Sequence, residues 1–306
     1  MLRRFLLYLS MAGWARALMS HFFLARRVAR RFVAGETLED ALNVTRKLKS
    51  EGLLVSLDYL GESVNKAEDT AEVVDTYLSL ISSIRKERLG SSVSLKLTHL
   101  GLDISEDLCI NNMRALLTAA KDAEVPVTID MESSAYTEKT IEVYRRLRDE
   151  YGFSNVGTVI QSYLYRSRED MRAFAAEGSH IRLCKGAYLE SATVAFAEKA
   201  DVDEQYREIV DEYIQNPASY LCIATHDEKM IQAAKVSIAK HIVPKTRFEF
   251  QMLYGIRSQR QHELSSEGFI VRVYVPFGEA WYPYFMRRLA ERPANLWFFA
   301  KSLFSS

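Results

Sequence analysis

The chain has 306 residues, with 40 lysines and arginines against 40 aspartates and glutamates. This balance excludes a dedicated nucleic-acid-binding protein, which usually carries a basic excess. With 26% charged residues and only 13 Gly and 6 Pro, the composition also excludes a disordered or collagen-like chain. The three cysteines, Cys109, Cys184 and Cys222, lack the spacing of a disulfide framework or a zinc site, which favours a reducing compartment. The length allows two domains of about 150 residues or one α/β barrel of about 250.

The first 35 residues differ from the rest because they contain seven arginines and no acidic residue. Apolar side chains recur there at the spacing of one helix face, at Leu7, Met11, Trp14, Leu18 and Phe22. A signal peptide is disfavoured because no small-residue cleavage site is evident, and Arg16 interrupts the run of about 20 apolar residues that a transmembrane helix needs. The segment is therefore predicted to form an amphipathic helix that either packs on its own domain or lies on an anionic membrane surface.

From residue 50 onward, short apolar stretches rich in β-branched residues alternate with charged, helix-like segments such as Glu68–Arg88 and Thr137–Tyr151. The eight strand candidates are Leu53–Asp58, Val93–Thr98, Val125–Asp130, Val156–Gln161, His180–Cys184, Tyr220–Ala224, Phe248–Met252 and Phe269–Tyr274. Eight alternating units predict an α/β fold, a closed (β/α)8 TIM-type barrel. Because no Pro/Gly/Ser-rich linker divides this region, residues 51–306 are predicted to form the barrel and residues 1–50 an N-terminal helical extension.

Polar or charged side chains stand at the end of each predicted strand. They are Asp58 and Glu62, Lys96 and Thr98, Asp130 and Glu132, Gln161, Arg182 and Lys185, Thr225, His226 and Asp227, Gln251, and finally Arg272 and Tyr274. A single aspartate at a strand end is more often a helix cap than a catalyst, but eight such ends are hard to attribute to capping. Barrel enzymes carry their chemistry at this carboxyl-terminal mouth, so an active site is predicted there.

Several of these strand ends belong to recognisable sequence strings. In chain order they are SLKLT at 94–98, DME at 130–132, QSYL at 161–164, RLCKGAY at 182–188, ATHD at 224–227, EFQMLYG at 249–255, RVYVPFG at 272–278 and YFMRRLAE at 284–291. The ordered set resembles the proline dehydrogenase family from about Leu53 to Phe298, and RLxKGAY together with YxxRRxxE is the most specific part. Without a second catalytic domain, the chain resembles the monofunctional type.

The resemblance implies FAD-dependent oxidation of L-proline to Δ1-pyrroline-5-carboxylate, the first step of proline catabolism to glutamate. In this reaction hydride passes from C5 of proline to flavin N5, and the electrons then pass to a membrane quinone. No G-x-G-x-x-G string follows a predicted strand, so a Rossmann dinucleotide site is not supported. FAD is therefore expected to bind noncovalently through residues at the barrel mouth.

The resemblance assigns two catalytic residues. It places Arg182 near flavin N5, where a cation favours the reduced cofactor, and it makes Asp130 the active-site aspartate, which would orient Lys96 or Tyr274 through hydrogen bonds. The cofactor-binding positions that it implies are Met131, Gln161, Arg182, Lys185, Gly186, Ala187, Thr225 and His226.

On the substrate side, Arg287 and Arg288 are adjacent on an evident helix, where two guanidiniums repel one another unless they are solvated or share an anion. A surface arginine pair is ordinarily solvated, but the resemblance implies that both bind the proline carboxylate together with Lys96. It also implies that Leu253, Tyr274 and Tyr284 form the walls around the proline ring. Glu62 matches a gate residue that pairs with the first arginine to close the site.

Two other interpretations remain open from the residues themselves. One is a flavin-free barrel lyase that uses Lys96 or Lys185 as a Schiff-base nucleophile. The other is a catalytically silent, membrane-binding scaffold built on the basic segment. The predicted partners are L-proline and a membrane quinone, with no nucleic acid and no metal, and the predicted location is cytoplasmic with peripheral contact to the inner face of the membrane through residues 1–35 as an option.

Overall fold

A computed structural model describes residues 6, 8–9 and 29–291 of the chain. The apolar positions of the predicted N-terminal amphipathic helix, and residues 292–306, lie outside the described residues. The division of the chain into an extension and a barrel at residue 50 stays a prediction.

Eight parallel strands close into a barrel in the order β1 to β8, with β8 paired to β1. The strands are β1 Leu54–Tyr59, β2 Ser92–Leu95, β3 Val127–Ile129, β4 Val156–Gln161, β5 His180–Cys184, β6 Tyr220–Ala224, β7 Phe248–Leu253 and β8 Val271–Phe277. The helices are α1 Leu38–Ser50, α2 Ala67–Lys86, α3 Glu106–Asp122, α4 Ser134–Arg145, α5 Ser167–Ala176, α6 Lys199–Tyr213, α7 Glu228–Lys240, α8 Ser258–Ser266 and α9 Trp281–Glu291. The predicted (β/α)8 barrel is thus confirmed.

Local sequence explains why the surrounding helices form and pack. In α2 the buried positions Val73, Tyr77, Leu80 and Ile84 recur at three- or four-residue intervals and face the strands, while acidic residues occupy the first turn and basic residues the last. The helix α1 begins at a capping box in which the Thr37 hydroxyl accepts a hydrogen bond from the Asp40 N–H at 3.1 Å. These helices bury the outer face of the barrel in one apolar core.

The eighth strand is displaced from its prediction. It runs from Val271 to Phe277 rather than from Phe269 to Tyr274, because it pairs with β1 up to Pro276 and Phe277. A proline often marks the end of a strand, but here the barrel register extends the strand beyond it. Arg272 therefore lies at the amino-terminal end of β8, and its prediction as a mouth residue was wrong.

The helix α9 follows β8 and therefore begins at the carboxyl-terminal mouth of the barrel. Its apolar face, with Trp281, Phe285 and Leu289, packs against Phe32 and Ile256 in a second buried cluster. This packing holds α9, which carries the two adjacent arginines, near the ends of the strands. No helix among the described residues is long and apolar enough to span a bilayer.

Candidate active site

A buried charged cluster forms where strands β3, β5 and β8 approach one another. Arg182 on β5 donates from Nη1 to Asp130 Oδ1 at 2.6 Å, and the Tyr274 hydroxyl on β8 donates to Asp130 Oδ2 at 2.7 Å. The Arg182 guanidinium also lies 5.3 Å from the centroid of the Tyr274 ring, a cation–π distance. Asp130 thus fixes both neighbours at once, since each of its carboxylate oxygens accepts one charge-assisted or hydroxyl hydrogen bond.

Lys96 lies one residue beyond the end of β2. It was predicted as a possible partner of Asp130, but in the structure it pairs with Asp58. Its ammonium donates to both carboxylate oxygens of Asp58 on β1, at 3.1 and 3.2 Å, and not to Asp130. Both residues are almost fully buried. Burial opposes the charge on Lys96, but attraction to Asp58, Asp130 and Glu62 outweighs it and raises the pKa of the ammonium. Lys96 and Tyr274 were the two predicted partners of Asp130, and of these only Tyr274 forms a hydrogen bond with it.

The two adjacent arginines of α9, Arg287 and Arg288, lie at the mouth and are each only 9% exposed. Arg287 donates from Nη2 to Glu62 Oε1 at 2.7 Å, which is the pairing expected of the gate residue. Burial alone would raise the pKa of Glu62, but attraction to Arg287 and Lys96, together with the hydrogen bond from Arg287, outweighs burial and lowers that pKa. Arg288 lies 5.0 Å from the centroid of the Tyr284 ring, and Arg287 lies 5.5 Å from that of Tyr188. Two buried guanidiniums in succession suit an anionic ligand.

The loop after β5 has a backbone that only glycine fits. Gly186 has φ +115°, and an added Cβ would lie 2.4 Å from the Tyr163 ring. The neighbouring Ala187 N–H donates to Gln161 Oε1 at 3.3 Å, while Gln161 Nε2 donates to the Glu132 carbonyl at 2.8 Å. This loop of small residues, which follows Lys185 directly in the chain, suits a phosphate-bearing cofactor such as a flavin dinucleotide.

Three further predicted cofactor residues lie on the same rim. The Leu253 N–H donates to His226 Nε2 at 2.8 Å, so this imidazole carries its proton on Nδ1 when neutral. Thr225 Oγ1 accepts from the Asp227 N–H at 3.1 Å. Lys185 is held between Asp203 and Asp227, at 2.5 and 2.8 Å from their carboxylates, so its charge is largely balanced by the protein itself. A direct contact between Lys185 and a cofactor stays a prediction.

Glu132 is a buried carboxyl group beside this site. It was noted at the end of a predicted strand, but no role was predicted for it. Thr98 donates to it twice, from N–H to Oε1 at 3.2 Å and from Oγ1 to Oε2 at 2.6 Å. Burial raises the pKa of Glu132 to about 7, against an ordinary value of 4.5, because the hydrogen bonds compensate only part of the lost solvation.

This shift makes Glu132 a source of pH-dependent stability. Between pH values of about 4.5 and about 7 the folded state holds a proton that the unfolded state has lost, so the free energy of unfolding should fall as pH rises. The slope should approach about 1.4 kcal/mol per pH unit. In Glu132→Gln this part of the slope should disappear, whereas the exposed Glu204→Gln should keep it. Urea unfolding at several pH values measures both, and parallel profiles for wild type and Glu132→Gln would contradict the assignment.

Other site-supporting pairings were not predicted from the sequence, although Gln251 was noted at a strand end. Asp58 was noted at a strand end but not given to Lys96, and Ser94 accepts from Arg182 Nη2 at 2.9 Å. Gln251 accepts from Arg182 Nε at 2.5 Å. The signal that could have found them is the alternation of polar residues within β1, β2 and β7, because every second side chain of a barrel strand points to the interior.

The fold and this site define a (β/α)8-barrel protein with a densely charged, buried site at the carboxyl ends of its strands, the arrangement typical of barrel enzymes. Comparison with known proteins specifies the group further. The family model described as proline dehydrogenase matches residues 41–301, and the chain belongs to the proline dehydrogenase family.

Individual relatives agree with that membership. The chain is 45% identical to proline dehydrogenase 1 of Bacillus subtilis (strain 168) over 90% of both chains, and 44% identical to proline dehydrogenase 2 of the same strain over 98% of both. It is 41% identical to the proline dehydrogenase of Deinococcus radiodurans over 90% of both. A crystal structure of proline utilization A from Bdellovibrio bacteriovorus, inactivated by N-propargylglycine, superposes with a TM-score of 0.80 at 25% identity and covers 90% of this chain and 33% of that one.

Proposed function

We propose that this proline dehydrogenase oxidises L-proline to Δ1-pyrroline-5-carboxylate with noncovalently bound FAD and passes the electrons to a quinone. Proline loses a hydride from C5 and a proton from nitrogen, and a C5=N double bond forms. The observation that supports this function most strongly is the pair of buried arginines on α9, Arg287 and Arg288, at the same end of the barrel as the charged cluster around Arg182. A small amino acid with a carboxylate suits such a space.

On the substrate side, the two α9 arginines and Lys96 would hold the proline carboxylate. An arginine offers two parallel donors in the geometry of a carboxylate, and Lys96 adds a point charge that Asp58 keeps in place. The ring of proline would then lie between Leu253, Tyr274 and Tyr284, whose apolar surfaces border the mouth. Glu62, paired with Arg287, would latch the entrance.

On the cofactor side, FAD when bound would supply the hydride acceptor. Arg182 would favour the negative charge that develops during reduction, because a fixed cation in a dry site acts strongly on charge that forms nearby. Met131, Gln161, Gly186, Ala187, Thr225 and His226 would hold the cofactor from the rim, with Lys185 supporting the loop after β5.

The Schiff-base alternative is disfavoured for Lys96, one of its two candidate nucleophiles. A lysine nucleophile needs a neutral amine, but the pairing with Asp58 raises the pKa of this ammonium. A dye-reduction assay with proline, made on purified protein whose absorption spectrum is recorded first, tests the proposed function. We expect a yellow protein that releases its flavin on denaturation and reduces the dye only when proline is added. A colourless protein without proline-dependent dye reduction would favour the lyase or scaffold interpretation.

Selectivity for proline over trans-4-hydroxyproline should depend on Tyr274. Its ring is fixed by Asp130 and stacked on Arg182, so it cannot easily move away from a hydroxylated ring. Steric differences of this size are worth roughly 1–3 kcal/mol, so wild type should favour proline in kcat/KM by about 10-fold or more. Tyr274→Ser should bring that ratio close to one.

The matched control is Tyr274→Phe, which keeps the ring and removes the hydroxyl. This variant should retain the selectivity even if its overall rate falls, because the hydrogen bond to Asp130 is lost. Equal preference for both substrates in wild type would show that Tyr274 is not a steric wall.

A quinone acceptor would place the reaction near a membrane, and the arginine-rich residues 1–35 are the proposed contact. Each arginine close to anionic lipid contributes up to about 1 kcal/mol, and salt weakens this attraction. The full chain should therefore sediment with anionic vesicles at low salt and be released at high salt, with neutral vesicles as the control. Failure to bind anionic vesicles at low salt would favour packing of this segment on the barrel.

A further inference from the structure

A chain of buried polar side chains continues from Arg182 into the barrel interior. We define the interior polar chain as Arg182, Gln251, Glu249 and Arg272, which lie on β5, β7 and β8. Arg182 Nε donates to Gln251 Oε1 at 2.5 Å, and Gln251 Nε2 donates to Glu249 Oε1 at 2.5 Å. Arg272 closes the chain with two hydrogen bonds to the Glu249 carboxylate, at 2.6 and 3.0 Å.

The orientation of the Gln251 amide follows from its two neighbours. A guanidinium can only donate hydrogen bonds, and an ionised carboxylate can only accept them. The amide oxygen must therefore face Arg182, and the amide nitrogen must face Glu249. Because Gln251 is only 5% exposed and Glu249 only 2%, neither group can exchange these partners for bulk water.

The far end of the chain is also fixed. Arg272 donates from Nη1 to the Val55 carbonyl at 3.2 Å and to Ser92 Oγ at 3.3 Å, and the Tyr220 hydroxyl donates to Glu249 Oε2 at 3.2 Å. Burial would raise the pKa of Glu249, but attraction to Arg272 and the hydrogen bonds from Arg272 and Gln251 together outweigh burial and lower that pKa, so the carboxylate stays ionised.

The guanidinium of Arg182 is thereby restrained from three sides. Its Nε is held by Gln251, its Nη1 by Asp130 and its Nη2 by Ser94. Asp130 and Tyr274 fix the side at the mouth, whereas Gln251 fixes the side toward the barrel interior. The neutral Gln251 amide separates the Glu249 carboxylate from Arg182. The positive electrostatic potential around Arg182 is therefore offset less than it would be by a second carboxylate in direct contact.

We propose that Gln251, oriented by Glu249 and Arg272, is a positioning residue that holds the Arg182 guanidinium in place and preserves its charge for flavin reduction. The inference rests on the proposed role of Arg182. It assigns a function to Gln251, Glu249 and Arg272, which belong to neither the proposed proline site nor the proposed cofactor site.

Two substitutions at Gln251 separate positioning from simple structural support. Gln251→Leu removes both hydrogen bonds, so the rate constant for flavin reduction by proline should fall by about 10-fold, the scale of one hydrogen bond to a charged group. The flavin midpoint potential should also fall, because a less well-held cation stabilises the reduced form less. The dissociation constant of tetrahydro-2-furoate, a proline mimic, should change by less than about 3-fold, since the carboxylate site on α9 is untouched.

Gln251→Glu gives the sharper test. When protonated, the new acid can donate to Glu249 and accept from Arg182, and so reproduces the glutamine. When ionised, it repels Glu249 and neutralises Arg182. The ratio of its reduction rate constant to that of wild type should therefore be close to one at about pH 5.5 and decline through one titration toward about pH 9.

The control is Gln205→Leu, which removes a buried amide of α6 that donates to the Ser162 and Leu164 carbonyls, both at 2.7 Å. It should not change the pH profile or the midpoint potential. A pH-independent ratio for Gln251→Glu, or an unchanged midpoint potential in flavin-loaded Gln251→Leu, would overturn the inference. So would loss of folding in both Gln251 variants when Gln205→Leu still folds, because the role would then be structural. Failure of the proposed function is distinguishable, since wild type would then lack flavin or proline oxidation altogether.

Discussion

Replacing Arg182 by alanine should lower the rate constant for flavin reduction by proline by about 100-fold or more in the flavin-loaded variant. Removing one preorganised donor that acts on developing charge typically reduces a rate by about 10²–10³-fold. Arg182 is well placed for this because Asp130, Ser94 and Gln251 restrain its guanidinium in a buried site. Stopped-flow absorbance of the flavin after mixing with proline measures the rate constant.

Arg148→Ala is the matched control for this substitution. Arg148 also forms an ion pair, at 2.8 Å to Glu177, and lies 5.1 Å from the centroid of the Tyr144 ring, but it lies in the connection that leads from α4 to the amino-terminal end of β4, away from the mouth. It should alter the thermal midpoint without slowing flavin reduction. If flavin-loaded Arg182→Ala is reduced as fast as wild type, Arg182 has no part in the chemistry.

Replacing Arg288 by alanine should raise the KM for proline by about 30-fold or more. Truncating one partner of a buried, hydrogen-bonded charge pair typically costs about 2–5 kcal/mol, and the proline carboxylate would be that partner here. Arg288→Lys should recover only part of the loss, since an ammonium does not reproduce the planar pair of donors. The dissociation constant of tetrahydro-2-furoate, read from the flavin spectrum, reports binding separately from catalysis.

Glu62→Ala serves as a graded comparison at the same mouth. Its carboxylate holds Arg287 at 2.7 Å but would not contact the substrate itself, so its loss should weaken proline binding more mildly and leave the flavin content unchanged. If the mimic binds Arg288→Ala as tightly as wild type, the carboxylate is bound elsewhere and the proposed placement of proline is wrong.

The strand pattern predicted much of the barrel because each apolar, β-branched run lies within one short segment of the chain. β4, β5 and β6 begin and end where the apolar, β-branched runs do. Parallel strands buried on both faces require such runs, and the charged segments between them must form the outer helices. A prediction from local pattern gave the wrong bounds for β8. Pro276 lies inside this strand, and only the pairing with β1 shows how far the strand extends.

The candidate site was predictable to the extent that its residues belong to recognisable strings. Arg182, Asp130 and the two adjacent arginines of α9 could be named in advance from these strings. Their roles stay predictions. Among their partners, the resemblance named Glu62 for Arg287 and offered Tyr274 or Lys96 for Asp130, but the remaining partners could not be named. Asp58 and Lys96 are 38 residues apart, and Arg182 and Gln251 are 69 apart, so no local spacing links them.

The sequence by itself therefore determined the fold class and the set of charged residues at the strand ends, because periodicity and strand composition are properties of short segments. Tertiary structure decided the partners: Lys96 with Asp58, Asp130 with Arg182 and Tyr274, and Arg272 with Glu249. The physical reason is the closure of the barrel. The stagger between neighbouring strands fixes the height at which each inward side chain lies, and that stagger results from the packing of all eight strands together.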